Sequence, residues 1–179
     1  TESPFISDMN FSVSEGEIFG FLGPSGAGKS TLQKILIGMV RTYQGSCSVN
    51  GIECKNRTKS FYENIGVDFE FSTMYEKLTA KENLQFFSSL YEKKPRSIDR
   101  LLKTAGLERD ADKRVADYSK GMKSRLNFIK ALLHDPLLLC LDEPTSGLDP
   151  INSRMMKNMI LEEKAKGKTI LLTTHNMQD

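Results

Sequence analysis

Nine consecutive residues carry the densest chemistry in the sequence: GPSGAGKST, running Gly23, Pro24, Ser25, Gly26, Ala27, Gly28, Lys29, Ser30, Thr31. Glycines let successive backbone N–H groups turn inward and form an anion-binding nest. The apolar run LQKILIGMV resumes at once. It reads as a helix whose positive dipole end points into the same space. Lys29 adds an ammonium, worth about 4 kcal/mol against a unit charge at roughly 4 Å and an effective dielectric near 20. Ser30 can offer a hydroxyl to Mg²⁺, and Thr31 can bond a phosphate. The spacing G-x-x-x-x-G-K-[ST], with a buried strand before it and a helix after it, describes a cradle for a nucleotide triphosphate tail.

A second group of residues lies in LLLCLDEPTSGLD. A continuous apolar run is how a parallel strand buried on both faces looks. Asp142, at its end, would emerge beside the first loop and hold Mg²⁺, directly or through water. Glu143 is then placed to orient or deprotonate an attacking water. Alone, Asp-Glu after an apolar run reads as well as a solvated strand end, and the first motif tips the balance. The third stretch, YSKGMKSRL, places Ser119 as an N-cap with Gly121 in the first turn. That is a further anion site by type, but by itself a plain helix start reads better.

The elements that must position these groups follow from patterning. MNFSVSEGEIFGFLG reads as a short strand, a turn at Glu15–Gly16 and a buried strand ending at Leu22. Asn50–Gly51 between β-formers signals a hairpin. Another strand is expected near Ile65–Phe69. TAKE, Thr79 to Glu82, is a capping box opening a helix through Tyr91. SIDRLLKTAG is a helix stopped by Gly106, and KGMKSRLNFIKALLHD is one ended by Pro136. Pro150, at the first position of a helix capped by Asp149, starts a run to Gly167. KTILLTTH is a last buried strand. The order predicts an α/β fold with a parallel core sheet and a helical insert.

Composition excludes several classes. The 179 residues carry a formal net charge of +2, with no basic patch of the kind that binds nucleic acid. No apolar run approaches the roughly 20 residues needed to span a bilayer, and no signal peptide is visible. Cys47, Cys54 and Cys140 lack close metal-type spacing and read as free thiols in a reducing compartment. His134, before Asp135–Pro136, reads as structural. The methionines Met155, Met156 and Met159 read as packing. The sequence starts at Thr1 without methionine and stops at THNMQD, where a helix could begin. It therefore reads as truncated at both ends, with N-terminal processing as the alternative.

The order of P-loop, helical insert, YSKGM, LLLCLDEP, SGLD and TTH resembles the ATP-binding subunits of ABC transporters over nearly the whole chain. The bacterial exporter type is the more similar. The resemblance implies a P-loop NTPase core with a mostly parallel sheet and a small antiparallel β subdomain, over residues 1–70 and 135–179. A helical subdomain would occupy 71–134. It also implies an ATPase using ATP and Mg²⁺ as a head-to-tail dimer, homo- or heteromeric. The phosphates would lie on residues 23–31 of one copy and on Ser119 and Gly121 of the other. Lys29, Glu143 and His175 would be catalytic, with His175 contacting the γ-phosphate and the attacking water. Ser30 and Asp142 would hold the metal. Residues 146–149 would communicate across the dimer. The implied partners are transmembrane permease subunits, with no nucleic acid, and the implied location is cytoplasmic, peripheral on the inner face of the membrane. The open alternatives are a soluble ABC-family ATPase of translation or DNA repair and a non-catalytic ATP-binding module.

The chain departs from the family pattern in places. Glu70 stands where a glutamine is usual. It can still ligate Mg²⁺, but its charge would repel a γ-phosphate at about 5–6 Å by roughly 3 kcal/mol per unit charge. Lys120 replaces a common glycine and Met122 a common glutamine. The aromatic that usually stacks on adenine falls before Thr1 by alignment, with Phe5 the nearest candidate.

Overall fold

The computed structural model describes residues 6–70 and 73–176. Phe5 and Phe71, where the helical insert is expected to begin, lie outside the described residues. Four strands, β1 (Ile18–Leu22), β4 (Ile65–Asp68), β5 (Leu138–Asp142) and β6 (Thr169–Thr174), form one sheet in the order β1-β6-β5-β4. All three pairings are parallel. A separate hairpin pairs β2 (Ser48–Val49) with β3 (Ile52–Glu53) around the expected Asn50–Gly51 turn, where both residues take positive φ.

The sheet is covered on both faces, which is why its strands read as apolar runs rather than alternating ones. Alternate residues of β5 serve different layers. Leu139 and Leu141 pack with Leu84, Leu101, Leu126 and Phe128 of the helices and with Met156 and Ile160. Leu138 and Cys140 face Leu32, Leu36 and the hairpin residue Val49 on the other side. Met156 and Met159 are buried in the first layer, as packing residues.

Helix ends follow local chemistry. Thr79 and Glu82 make the reciprocal capping box that opens α3 (Ala80–Ser88). Ser97 caps α4 (Ile98–Thr104), and Gly106 follows it at φ 63°. Ser119 caps α5 (Lys120–Ala131). Asp149 accepts from the N–H groups of Ile151 and Asn152 to open α6 (Pro150–Ala165), and Gly167 at φ 88° closes it. The helix α1 (Lys29–Leu36) starts from Gly28, in the left-handed region at φ 89°.

Three expectations differ from the structure. The segment around MNFSV forms no strand; Phe11 instead packs its ring on Phe19 and Phe21 of β1. The helix expected through Tyr91 stops at Ser88. There the Ser88 and Ser89 hydroxyls bond the Gln85 and Phe86 carbonyls, and Leu90 and Tyr91 bond back three residues rather than four. The helix expected to reach Pro136 ends at Ala131, and Leu132 and Leu133 close it with the same tighter bonds. A four-residue helix, α2 (Lys59–Tyr62), buries Phe61 and is too short to leave a periodic signal. His134 is buried, stacks on Tyr91 at 3.8 Å and meets the Ile65 carbonyl through Nε2, a packing role as expected.

Candidate functional site

Parallel register brings the polar groups to one edge. Leu22 of β1 pairs with Thr174, Thr173 with Asp142, and Leu141 with Asp68. The residues just beyond these strand ends are Gly23, His175, Glu143 and Glu70. Segments far apart in sequence therefore meet at the carboxyl edge of the sheet, where α/β folds carry their ligand sites. Ser25, Gly26, Gly28, Lys29, Ser30, Thr31, Glu70, Glu143 and His175 line one open cleft of ≈ 280 Å³.

Gly26 and Gly28 take φ 83° and 89°, values that L side chains rarely adopt, and thereby curl the loop back over the start of α1. The Lys29 ammonium is held inside this curl, donating to the carbonyls of Gly23 at 2.6 Å and Pro24 at 3.1 Å. It also lies 3.8 Å from Glu143 Oε1, with both side chains almost covered. The other Glu143 oxygen, Oε2, accepts from His175 Nδ1 at 2.8 Å and faces the His175 backbone N–H at 3.3 Å. A carboxylate can only accept, so the imidazole carries a proton on Nδ1.

Glu143 itself sits at φ 51°, its N–H bonded to the Thr173 carbonyl at 3.0 Å. Left-handed backbone at a non-glycine residue costs on the order of 1–3 kcal/mol and persists where its surroundings over-determine it. Asp142 Oδ1 accepts from Ser30 Oγ at 3.1 Å and from Thr173 Oγ1 at 2.5 Å. Thr173 is a residue that sequence reasoning missed. It braces both acids, and the only trace it leaves is a threonine pair closing an apolar strand.

The donor set around Ser30 and Asp142 fits Mg²⁺. Both atoms are hard oxygens, the type this ion prefers, and they already lie side by side, 3.1 Å apart. Among the described residues no group of three or more His, Cys, Asp or Glu side chains forms a metal cage. Glu70 is exposed on the wall of the same cleft, and it also lines a neighbouring one of ≈ 310 Å³ with Asp142, Glu143, Lys120 and Ser146.

Ser119 and Gly121 are not part of the loop cleft. Ser119 accepts from the Met122 N–H at 3.3 Å. Gly121 is buried against α6: a Cβ built there would stand 2.4 Å from the Asn152 side chain. A side chain at this position would therefore have to displace the Asn152 amide. Lys120 extends over Gly147, whose would-be Cβ lies 2.1 Å from the ammonium, so YSKGM and SGLD touch within one chain.

Comparison with known proteins places this geometry. The family profile described as "ABC transporter" matches residues 6–146. The fluoroquinolones export ATP-binding protein of Mycobacterium tuberculosis is 52% identical over 174 residues, covering 97% of this chain and 58% of that protein. The Nod factor export ATP-binding protein I of Rhizobium meliloti is 42% identical, covering 99% of this chain and 54% of that protein. The chain therefore spans little more than half the length of these relatives. Among solved structures, a dimeric ATP-binding cassette in a post-hydrolysis state with ADP and Pi superposes with a TM-score of 0.86. It is 26% identical and covers 97% of this chain and 81% of its own. With its profile match, its relatives and its fold in agreement, the chain belongs to the ABC transporter family.

Proposed function

We propose that the chain is the catalytic portion of an export-type ABC ATPase, which hydrolyses the β–γ bond of ATP and drives transport through membrane partners. The observation that carries this reading is the convergence of Lys29, Ser30, Asp142, Glu143 and His175 on one sheet edge, within hydrogen-bonding or ion-pair reach of one another. The backbone N–H groups of residues 26–30 and the Lys29 ammonium hold the β- and γ-phosphates. Pro24, Ser25 and Ala27 shape the turn, and Thr31 bonds the α-phosphate.

Glu143 accepts a proton from the water that attacks the γ-phosphorus, and ADP departs as the leaving group. Lys29 and the loop amides stabilise the charge that spreads over the phosphoryl oxygens. His175, tied to Glu143 through Nδ1, fixes the orientation of that carboxylate and turns its other ring edge towards the γ-phosphate. Ser30 and Asp142 would hold Mg²⁺, with Glu70 as a further carboxylate beside them. The ion would supply charge neutralisation across the phosphates.

A second copy completes the site with its Ser119 and Gly121 helix end. Support comes from the position of that end outside the loop cleft and from the dimeric cassette that superposes on this chain. Residues 71–134 face the membrane partners. In favour of this, Tyr75, Phe86 and Leu90 leave a cluster of large apolar side chains exposed there, the kind of surface that marks an interaction site. No helix among the described residues is long and apolar enough to cross a membrane. The direction of transport is export, by similarity to the two relatives.

The test is phosphate release from the full-length protein with Mg-ATP, beside Glu143→Gln. Removing a general base lowers the rate by about 10²–10⁴-fold while leaving nucleotide binding intact. Wild type and variant equally inert, with ATP still bound, would make the chain an ATP-binding module instead.

A further inference from the structure

The hairpin beside α1 carries chemistry that the nucleotide site does not use. Cys47 and Cys54 flank it, one residue outside the Ser48–Glu53 pairing, and the Cys54 N–H donates to the Cys47 carbonyl at 2.7 Å. The two are therefore directly opposed cross-strand partners. Such partners hold their Cα atoms about 5.5 Å apart, inside the roughly 4.4–6.8 Å window that a disulfide requires. Their sulfurs are already 3.3 Å apart. Both are free thiols.

We propose that Cys47 and Cys54 form an oxidation site, a dithiol that closes to a disulfide on reaction with a hydroperoxide.

The two thiols divide the work. Cys47 is half-buried and reachable from solvent, whereas Cys54 is 1% exposed and contacts the Leu36 carbonyl at 3.3 Å. The Cys54 thiol beside it holds Cys47 below the usual thiol range, against the opposing effects of burial and of Glu53. Cys54 is raised by its bond to Cys47 and by burial. Glu53 fixes the Cys47 backbone by accepting its N–H at 3.2 Å, and Tyr43 in turn bonds Glu53. Lys55 anchors the Tyr43 carbonyl at 2.9 Å. The pair is thus held in place rather than meeting by chance.

The Cys47 thiolate attacks one peroxide oxygen, and the O–O bond breaks. The released alkoxide or hydroxide takes a proton and leaves as alcohol or water, and Cys47 becomes a sulfenic acid. The Cys54 sulfur then attacks the Cys47 sulfur and forms the S–S bond as the S–O bond breaks. The hydroxyl departs with the Cys54 proton as water. Two thiols lose two electrons and the peroxide gains them. Closure requires the sulfurs to approach from 3.3 Å to about 2.0 Å. It also withdraws Cys54 from the Leu36 carbonyl at the end of α1, the helix that opens from the phosphate loop.

Cys140 supplies an internal control. It is fully buried in the sheet, and burial alone pushes its thiol up to about 12. The experiment treats the full-length reduced protein with hydrogen peroxide, alkylates it in denaturant, and reads the tryptic peptide spanning 42–55, which holds both cysteines. The expected result is loss of two hydrogens and of both alkyl groups from that peptide, reversed by dithiothreitol, with Cys140 still alkylated. In Cys54→Ser the same dose leaves Cys47 as a sulfenic acid trapped by dimedone, at least tenfold above wild type. Should that variant fail to fold, the wild-type peptide alone decides. Cys47 oxidised while Cys54 remains alkylatable in the wild-type chain would overturn the proposal, as would a peptide that stays fully reduced.

Discussion

Single residues set the chemistry through what they touch. Glu143 has one oxygen near Lys29 and the other on His175, and its left-handed backbone is pinned by Thr173. The residue types and their spacing were legible in the sequence, because glycine-rich curvature and strand-end acids have few other uses together. Thr173 was not, since a threonine closing an apolar strand is ordinary until its hydroxyl is seen on Asp142. Away from the site, Glu163 shows how one buried charge is sustained. Burial would push its carboxyl up, but Arg96 at 2.8 and 3.1 Å and Lys166 at 2.6 Å hold it below the usual range. A lowered folded-state pKa stabilises above the unfolded value near 4.5, and that contribution disappears as pH falls through the folded value. Urea midpoints measured from pH 7 downward should drop below about pH 4.5 in the wild type. Glu163→Gln should flatten that acid limb and cost about 3 kcal/mol at neutral pH, the low end for breaking a buried pair.

Elements are placed by their ends and by close backbone approaches. The capping residues Thr79, Ser119 and Asp149 act as the sequence predicts, because a side-chain oxygen before an apolar-periodic run has one good use. Helix C-termini were less legible. Serine hydroxyls that bond backwards and tight turns before proline leave the apolar pattern unbroken while ending the helix. Gly66 on β4 marks where α5 crosses the sheet: a Cβ there would lie 2.3 Å from the Ala131 carbonyl and 2.8 Å from Leu139 and Pro136. Backbone cannot yield as a side chain tip can. Gly66→Ala should therefore destabilise the fold by at least the roughly 1–3 kcal/mol typical of overpacking. The check is a lowered denaturant midpoint with an unchanged slope.

At the scale of the whole molecule, the sheet order β1-β6-β5-β4 does the assembling. It sets the phosphate loop, the Asp142–Glu143 pair, His175 and Glu70 side by side from four separate strand ends. The sequence implied a parallel sheet, but strand order follows from crossover connections that periodicity does not encode. It likewise left Cys47 and Cys54 as unrelated thiols, because their meeting depends on the register of a two-residue hairpin. On the proposed function, Ser119 and Gly121, which lie outside the loop cleft, complete the site of a second copy. Full-length Glu143→Gln should sediment as a dimer with Mg-ATP and as a monomer without it. Ser119→Arg added to it should abolish the dimer while each chain still binds ATP.

On the proposed function, the polyphosphate lodges against Lys29 and the loop amides beside Asp142 and Glu143. Calorimetric titration of the full-length protein with Mg-ATP, wild type against Lys29→Ala, tests this most directly. The prediction is saturable heat of binding in the wild type and an affinity at least tenfold weaker in Lys29→Ala, about 1.4 kcal/mol or more. Equal affinity in the two proteins, or no heat in either, would contradict it.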